Sequence, residues 1–498
     1  MKRLLTLLTL FLLTVAISNI SYAGGIVTNT NQSASYIRMP VQDATVAPDG
    51  AYYNPAGLAF LNNGLYISIS NQSIFQTETV SNDYTYLNTE DFEGKASAPL
   101  FPGIYAALKL GKLAFSLGFN PIGGGGTAEY DKGLPSFEIP ISDLVPGMGG
   151  PANASYTTDI YFKGKSVYWG IQGGVSYKFT DWISGYAGIR YNMAQNNYEG
   201  FLKNSNLKTV QPGYNGRADL FFRGLEAKYK AAKEQFAQAG LNDSALKYGT
   251  LEAQMGIKAT LLGDQTAEVE QTGSGITPIL GLHFSLLNSN LNIGLKYEFN
   301  TALTLKNNTT KDVMVGYDAV NKAYVTKFPN GAEFDADIPA LLSLGAQYRL
   351  FKDLMFTAGL HYYFDKNADW DGLEKEIESN TIEIGAGTEY TINDKFLVSL
   401  GYFYAAPGVS NAYQTDMTYQ LPSNSFGFGG KYRILSRLDV NLGFMYTAYV
   451  EGTKTANHDF SGGLLPSTQW PKANYTFNKS NFIIGLGFDF HLFGRTND

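Results

Sequence analysis

Residues 438–450 read LDVNLGFMYTAYV, and larger apolar side chains alternate along this run with polar or small ones. One face carries Leu438, Val440, Leu442, Phe444 and Tyr446, and the other carries Asp439, Asn441, Gly443, Met445 and Thr447. Successive side chains of a β-strand point to opposite faces, so the run predicts a strand with one apolar face. It is long enough to cross a bilayer, which takes about 9–11 residues of tilted strand.

Thirteen further runs of this kind predict strands near Leu65, Ile104, Leu113, Val167, Ile183, Ile279, Leu291, Leu341, Leu354, Ile382, Phe396, Phe426 and Phe482. Short polar turns alternate strictly with long loops, and the six short turns fall at Leu110, Phe179, Asn288, Phe351, Asn393 and Leu435. An even number of strands with all short turns at one end is typical of an outer-membrane barrel. A soluble sandwich would also alternate but needs no such asymmetry. We predict an all-β fold, a 14-stranded antiparallel transmembrane β-barrel over residues 64–493.

The two ends of the chain differ from this pattern. Residues 1–23 combine Lys2 and Arg3 with an apolar stretch and a Ser-Tyr-Ala end, which predicts a secretory signal peptide. Residues 494–498 form a short tail after the last predicted strand. The absence of Cys excludes disulfides and thiolate metal sites, and a net charge of -7 gives no support for nucleic-acid binding.

Residues 24–63 do not read as a strand. Asn54-Pro55 is a turn signal, and Gly50 and Gly57 permit sharp reversals. The segment is either a loose tail or a plug inside the barrel. About eight strands can fill their interior with side chains, whereas about 14 leave a lumen too wide for that, which favours the plug. Inward-facing charges such as Arg190, Lys296 and Glu298 are expected to form a network that holds it.

The predicted third strand contains an internal break. It runs into Asn120, Pro121, Ile122 and Gly123, followed by three more glycines. Proline cannot donate to a strand ladder and glycine lacks a side chain to hold strand geometry, so pairing should fail here. Unpaired backbone at lipid depth is tolerated only where it lines a cavity, which would make the break a lateral portal. Alternatively, the strand has already crossed the membrane and a loop begins.

The connection over residues 200–272 is the longest and is expected to be partly helical. Apolar residues recur at helical spacing from Leu225 to Phe236, Gly240 ends the helix, and a second helix is predicted to run to about Met255. Leu220, Phe221 and Phe222 cluster at its entry. These side chains either pack the loop onto the barrel rim or form an exposed apolar patch.

Other chemical signals are weak. Asn367, Asp369, Asp371 and Glu378 match part of the ligand spacing of a calcium loop, but an acidic solvated loop explains them equally. The four His residues lack zinc-protease spacing, and Gly123–Gly126 lacks the Lys of a phosphate loop. We therefore predict no cofactor and no enzymatic activity.

YYNPAGLAF at Tyr52–Phe60 resembles the N-terminal hatch motif of the FadL/TodX family of outer-membrane hydrophobic-compound transporters. The resemblance extends over the mature chain, through DIPALLSLGAQYRL from Asp337, HYYFDKNADWD from His361, YFYAAPGVSN from Tyr402 and QLPSNSFGFGGKYRI from Gln420. It implies a monomeric barrel with a hatch, here Asn54, Pro55, Ala56 and Gly57. It also implies a capture groove at Leu220, Phe221, Phe222, Leu225 and Phe236, and lateral exit at Asn120–Gly123.

The expected function is passive uptake of hydrophobic small molecules, such as long-chain fatty acids, with release into the lipids of the outer membrane. Alkanes or monoaromatic compounds would suit an apolar pocket equally. Two alternatives remain from the sequence: a general porin for polar solutes, and an outer-membrane hydrolase.

Overall fold

The computed structural model describes residues 32–458 and 470–493. The predicted signal peptide, the first residues of the 24–63 segment and the 494–498 tail lie outside the described residues. The described chain forms twenty strands: β1 (Gly64–Asn82), β2 (Asp91–Leu110), β3 (Leu113–Tyr130), β4 (Ala154–Lys178), β5 (Ile183–Thr209), β6 (Tyr214–Arg217), β7 (Gln265–Leu286), β8 (Leu291–Glu298), β9 (Thr304–Lys311), β10 (Met314–Asp318), β11 (Ala323–Thr326), β12 (Glu333–Asp335), β13 (Leu341–Phe351), β14 (Leu354–Tyr363), β15 (Ile377–Asn393), β16 (Phe396–Val409), β17 (Ser423–Leu435), β18 (Leu438–Tyr449), β19 (Gly452–Asn457) and β20 (Lys472–Phe493).

Fourteen of these strands form a closed antiparallel barrel: β1 to β5, β7, β8, β13 to β18 and β20. Pairing of β20 with β1, from Phe493 beside Leu65 to Tyr475 beside Asn82, closes the wall. The remaining six strands extend the long loops. All fourteen predicted strands and all six short turns are confirmed. The alternation of apolar and polar side chains predicted these strands correctly because each strand separates lipid from the polar interior of the barrel.

The helices occupy the lumen and the long loops. They are α1 (Ala34–Arg38), α2 (Gly50–Tyr53), α3 (Pro135–Ser142), α4 (Leu144–Gly147), α5 (Ala218–Gln238) and α6 (Asn242–Leu261), with 3₁₀ turns at Pro55–Phe60, Asp365–Asn367 and Leu373–Glu376. Among the described helices, none combines the length and the apolar character needed to cross a membrane.

The outward face of the wall carries an exposed apolar belt. Its members include Ile69, Phe75, Ile171, Leu280, Leu360, Leu400, Phe428, Leu442, Phe482 and Leu486, which are all exposed on the isolated chain. A contiguous apolar surface of this extent on a closed barrel is the surface that faces lipid. The polar residues that alternate with it, such as Asp439 and Asn441, are buried inside.

Two predicted boundaries of the longest connection were wrong. Strands β5 and β7 pair continuously from Ile183 beside Phe284 to Leu202 beside Gln265, so residues 200–209 at the start of the predicted connection and 265–272 at its end belong to the strands. Above the apolar belt a strand needs no apolar face, and its pattern is then indistinguishable from that of a loop. The first helix also begins at Ala218 rather than at Leu225.

Residues 32–61, which we call the luminal segment, lie inside the barrel. Almost every residue from Gln32 to Ala59 is buried. Ser33 caps α1 by accepting a hydrogen bond from the Tyr36 backbone, and Pro55 occupies the first turn of the 3₁₀ helix, where its missing N–H costs nothing.

Candidate functional site

The luminal segment rests directly on wall glycines. A Cβ added at Gly294, Gly345 or Gly359 would come within 3.0 Å of Asp43. The same holds where Gly385 faces Val41, Gly401 faces Pro40, Gly427 faces Ile37 and Gly443 faces Arg38. We call these seven residues the glycine seat. The backbone of the segment can approach the strands only because these positions lack side chains.

Polar wall side chains hold the part of the segment that contains the predicted hatch residues. Gln172 donates to the Ala51 carbonyl at 2.7 Å, and Ser176 and Ser184 donate to the carbonyls of Pro55 and Ala56 at 2.6 Å. The Asn54 amide nitrogen lies 2.9 Å from both the Thr45 carbonyl oxygen and His283 Nδ1. Asn54 thus joins two turns of the segment to the wall.

Ion pairs complete this attachment. Arg38 of the segment lies 2.6 Å from Glu389 and donates to Ser399. Lys296 lies 2.7 Å from Glu298 and donates to the Tyr52 carbonyl, while Arg190 pairs with Glu298 from the other side. The network expected from the inward-facing charges is therefore present, with each cation close to a carboxylate or a carbonyl.

The luminal segment separates two cavities. One, with a volume of about 220 Å³, opens towards the short turns and is lined by Arg38, Met39 and Val46 of the segment and by polar wall side chains. The other, which we call the aromatic pocket, has a volume of about 320 Å³ and lies towards the long loops.

The aromatic pocket combines ring surfaces with one ion pair. Tyr130, Phe162, Tyr198 and Tyr419 line it, and the Lys479 ammonium lies 2.8 Å from the Glu78 carboxylate within it. Loop residue Asp416 also lines it and accepts a hydrogen bond from the Ser136 backbone at 2.7 Å. Burial raises the pKa of the Asp416 carboxyl. Ring faces with a few polar groups are typical of a ligand pocket.

Next to this pocket the wall loses its pairing. The ladder between β2 and β3 stops at Ser97 beside Thr127 and resumes only at Ile104 beside Phe119. The ladder between β3 and β4 slips twice between Pro121 and Gly126. Asn120, Pro121, Ile122 and Gly123 therefore have no partner on β2, although Asn120, Pro121 and Gly123 still pair with β4. Ala96, Gly126 and Ser166, at the edges of this break, also line the aromatic pocket.

The register places the break within the apolar belt. Ile104, the first paired residue below the break, lies beside Ile69 of β1, which in turn lies beside Phe488 of β20. Ser97, the first paired residue above the break, lies beside Phe75, which in turn lies beside Phe482. Ile69, Phe75 and Phe482 are exposed members of the belt. The unpaired residues thus lie between two levels of the wall that face lipid.

Side chains of β1 satisfy part of the unpaired backbone. Asn71 accepts a hydrogen bond from Phe101 N and donates to the Pro99 carbonyl, which also accepts from Ser73. Pro99 and Pro102 stand on β2 opposite the break and remove donors there. Pro121 and the glycines after it predicted the break, whereas Pro99 and Pro102 in the preceding strand are a further signal in the sequence that was not used.

Comparison with solved structures gives the same architecture. A FadL homologue from Pseudomonas aeruginosa superposes with a TM-score of 0.60 at 14% identity, over 95% of this chain and 100% of that chain. The chain has the FadL/TodX barrel fold. The P. putida toluene transporter TodX (TM-score 0.52, 14% identity, 91% and 99% of the chains) and the Ralstonia pickettii toluene transporter TbuX (0.51, 15%, 91% and 98%) share it. No family model and no curated protein matches the sequence.

Within this FadL/TodX fold, the predicted capture groove is not a single exposed surface. Phe221 and Phe222 are 8% and 0% exposed and pack with Tyr229, Leu251 and Met255 between α5 and α6, the helical pair that we call the cap. Leu225 packs partly against the same core, and Phe236 stacks on Tyr248 at 5.1 Å. Leu220 alone of the five points outwards, at 59% exposure. The helix starts earlier than predicted, which turns the two Phe side chains inwards.

Replacing Phe222 by Ser is therefore expected to loosen the cap rather than to remove a ligand surface. Loss of a fully buried ring costs about 3–5 kcal/mol, because it leaves a cavity. Limited proteolysis should cut α5 or α6 faster in this variant. Leu220→Ser is the matched control and should leave the digestion rate unchanged; equal rates for the two variants would contradict the packing described.

The calcium candidate finds no support. Within residues 32–458 and 470–493, no group of three or more His, Asp or Glu side chains is placed to hold a metal ion. Asp369 instead accepts a hydrogen bond from the Asp371 backbone, and Asn367 ends a 3₁₀ turn. Glu378 is the second residue of β15. The spacing of a calcium loop is present without its geometry.

Proposed function

We propose that this protein is an outer-membrane channel for passive uptake of hydrophobic small molecules, which leave the aromatic pocket sideways through the break between β2 and β3. One observation carries the proposal: the break lies at lipid depth and the pocket borders it. An opening there offers an apolar molecule a path from pocket to bilayer that never crosses the polar lumen.

The size of the pocket fits this role. Its volume of about 320 Å³ is near the lower end of ligand pockets, which span about 300–1,000 Å³. The similar structures include two toluene transporters. Small aromatic compounds and the chain of a fatty acid are both candidate cargo, and the Lys479–Glu78 pair offers a polar group of either sign to a head group.

The luminal segment serves in this proposal as the hatch. Asn54, Pro55, Ala56 and Gly57 close the bore, and outward-facing apolar side chains of the cap, Leu220 among them, provide the first contact with cargo. The segment fills the bore that a general porin would need to keep open. The two toluene transporters among the similar structures favour a channel over a hydrolase.

Filling the aromatic pocket tests the proposal. Ala128→Phe places a ring in the pocket, whereas Thr127→Phe places the same ring on the opposite face of β3. Uptake of a labelled monoaromatic compound and of a labelled fatty acid into cells that produce each variant should fall to background for Ala128→Phe and stay normal for Thr127→Phe. Normal uptake of both compounds by Ala128→Phe would overturn the proposed route.

A further inference from the structure

One buried side-chain trio joins the luminal segment to the wall through a single imidazole. His361 of β14 places Nδ1 2.8 Å from Glu383 Oε2 and Nε2 2.8 Å from Asp43 Oδ1. His361 and Glu383 face each other across the ladder between β14 and β15, whereas Asp43 belongs to the luminal segment. All three side chains are at most 4% exposed.

This arrangement requires an additional proton. A neutral imidazole has one N–H donor and one lone pair, and an ionised carboxylate only accepts. With both carboxylates ionised, one ring nitrogen would face a carboxylate oxygen at 2.8 Å without a hydrogen between them. Both contacts are hydrogen bonds only when the trio holds one more proton, either on the ring or on a carboxyl.

We propose that Asp43, His361 and Glu383 form a proton-binding site that latches the luminal segment to the barrel wall. Loss of the proton breaks one contact, and the Asp43 contact is the weaker. Glu383 is fixed in β15 and also accepts a hydrogen bond from the Tyr363 hydroxyl at 3.1 Å. Asp43 Oδ2, by contrast, has no hydrogen-bond partner among the described residues.

The surroundings set the sign of the effect. Among the described residues, the other titratable groups that face the trio are the phenols of Tyr36, Tyr52 and Tyr363 and the carboxyl of Asp365. Phenols are neutral through the physiological range. Burial disfavours a charged ring, but the two carboxylates, each 2.8 Å from a ring nitrogen, outweigh burial and favour retention of the proton. The latch holds at acid and neutral pH and opens as the pH rises into the alkaline range. This inference rests on the proposed function only in taking the luminal segment as the hatch that closes the barrel.

The chain has no Cys, so a single introduced thiol reports on the segment. Ala44 is fully buried beside Asp43, and Ala259 is similarly buried on α6, outside the luminal segment. In the full-length protein, the rate at which a water-soluble maleimide modifies Ala44→Cys, divided by the rate for Ala259→Cys at the same pH, cancels the titration common to both thiols. We expect this ratio to rise about tenfold or more from mildly acid to alkaline pH, as loss of a charge-assisted hydrogen bond allows.

Amide variants separate a proton site from a merely structural contact. In Glu383→Gln or Asp43→Asn the amide N–H donates to one ring nitrogen while the other donates to the remaining carboxylate, so a neutral imidazole suffices. Both variants should keep the ratio low at alkaline pH, whereas His361→Ala should raise it at every pH. A flat wild-type ratio, or amide variants that follow the wild type, would overturn the latch. The labelling uses no cargo, so its failure leaves the uptake proposal untouched.

Discussion

Restoring regular pairing between β2 and β3 is expected to reduce uptake of hydrophobic compounds to background while the barrel still folds. The variant replaces Pro99, Pro102 and Pro121 by Thr and deletes Gly124. The unpaired stretch is residues 98–103 on β2 and residues 120–126 on β3, which is one residue longer. The deletion therefore makes the two stretches equal in length. Each restored rung removes backbone groups that cost several kcal/mol when unpaired in lipid, so the closed ladder should be the more stable state.

The measurement is uptake of labelled cargo, with heat-dependent mobility on a gel to confirm a folded barrel. Leu100→Thr is the matched control: it changes an exposed side chain of the same stretch, at 78% exposure, and keeps the three prolines. Undiminished uptake by the repaired wall would show that cargo leaves elsewhere. A simultaneous loss in the control would instead implicate the surface of the break.

The second large effect is expected from deletion of residues 32–60, which should convert a nearly silent protein into an ion-conducting pore. Without the segment, the glycine seat and the wall charges face an open bore. A bore of fourteen strands lies between the side-chain-filled barrels of about eight strands and the water-filled porins of about 16–18. Wall carboxylates such as Glu389, the partner of Arg38, would then be solvated and would attract cations.

Conductance in planar bilayers measures this directly. The control replaces residues 219–261, most of the helical cap, by a short Gly/Ser linker, and it should stay silent because the cap lies outside the bore. A deletion variant that folds but remains silent would show that wall side chains alone close the lumen.

The sequence predicted those features that one rule governs along the whole chain. Every barrel strand separates lipid from a polar interior, so alternation at Leu438–Tyr449 and its counterparts identified all fourteen strands. The rule fails above the membrane, which is why the ends of β5 and β7 were read as loop. Strand alternation also gives no information about helix α5, where Phe222 is buried and Leu220, which is equally apolar, is exposed.

The contacts of the candidate site were beyond sequence reasoning for a geometric reason. Asp43, His361 and Glu383 are far apart in sequence, and only the path of the luminal segment and the register of β14 with β15 bring them together. The break was found from Pro121, but its depth and its link to the aromatic pocket needed the pairing of four strands. The sequence shows the chemical type of each residue but not which residues lie next to it in space.

The glycine seat has a consequence for chimaeras between such channels. Because the wall glycines leave no side chain between the barrel wall and the luminal segment, the positions of these glycines and the path of the segment must match closely. An N-terminal region grafted from a distant channel would fit only if the recipient's glycines were moved to suit it. A functional chimaera should therefore take the luminal segment and the barrel wall from the same channel.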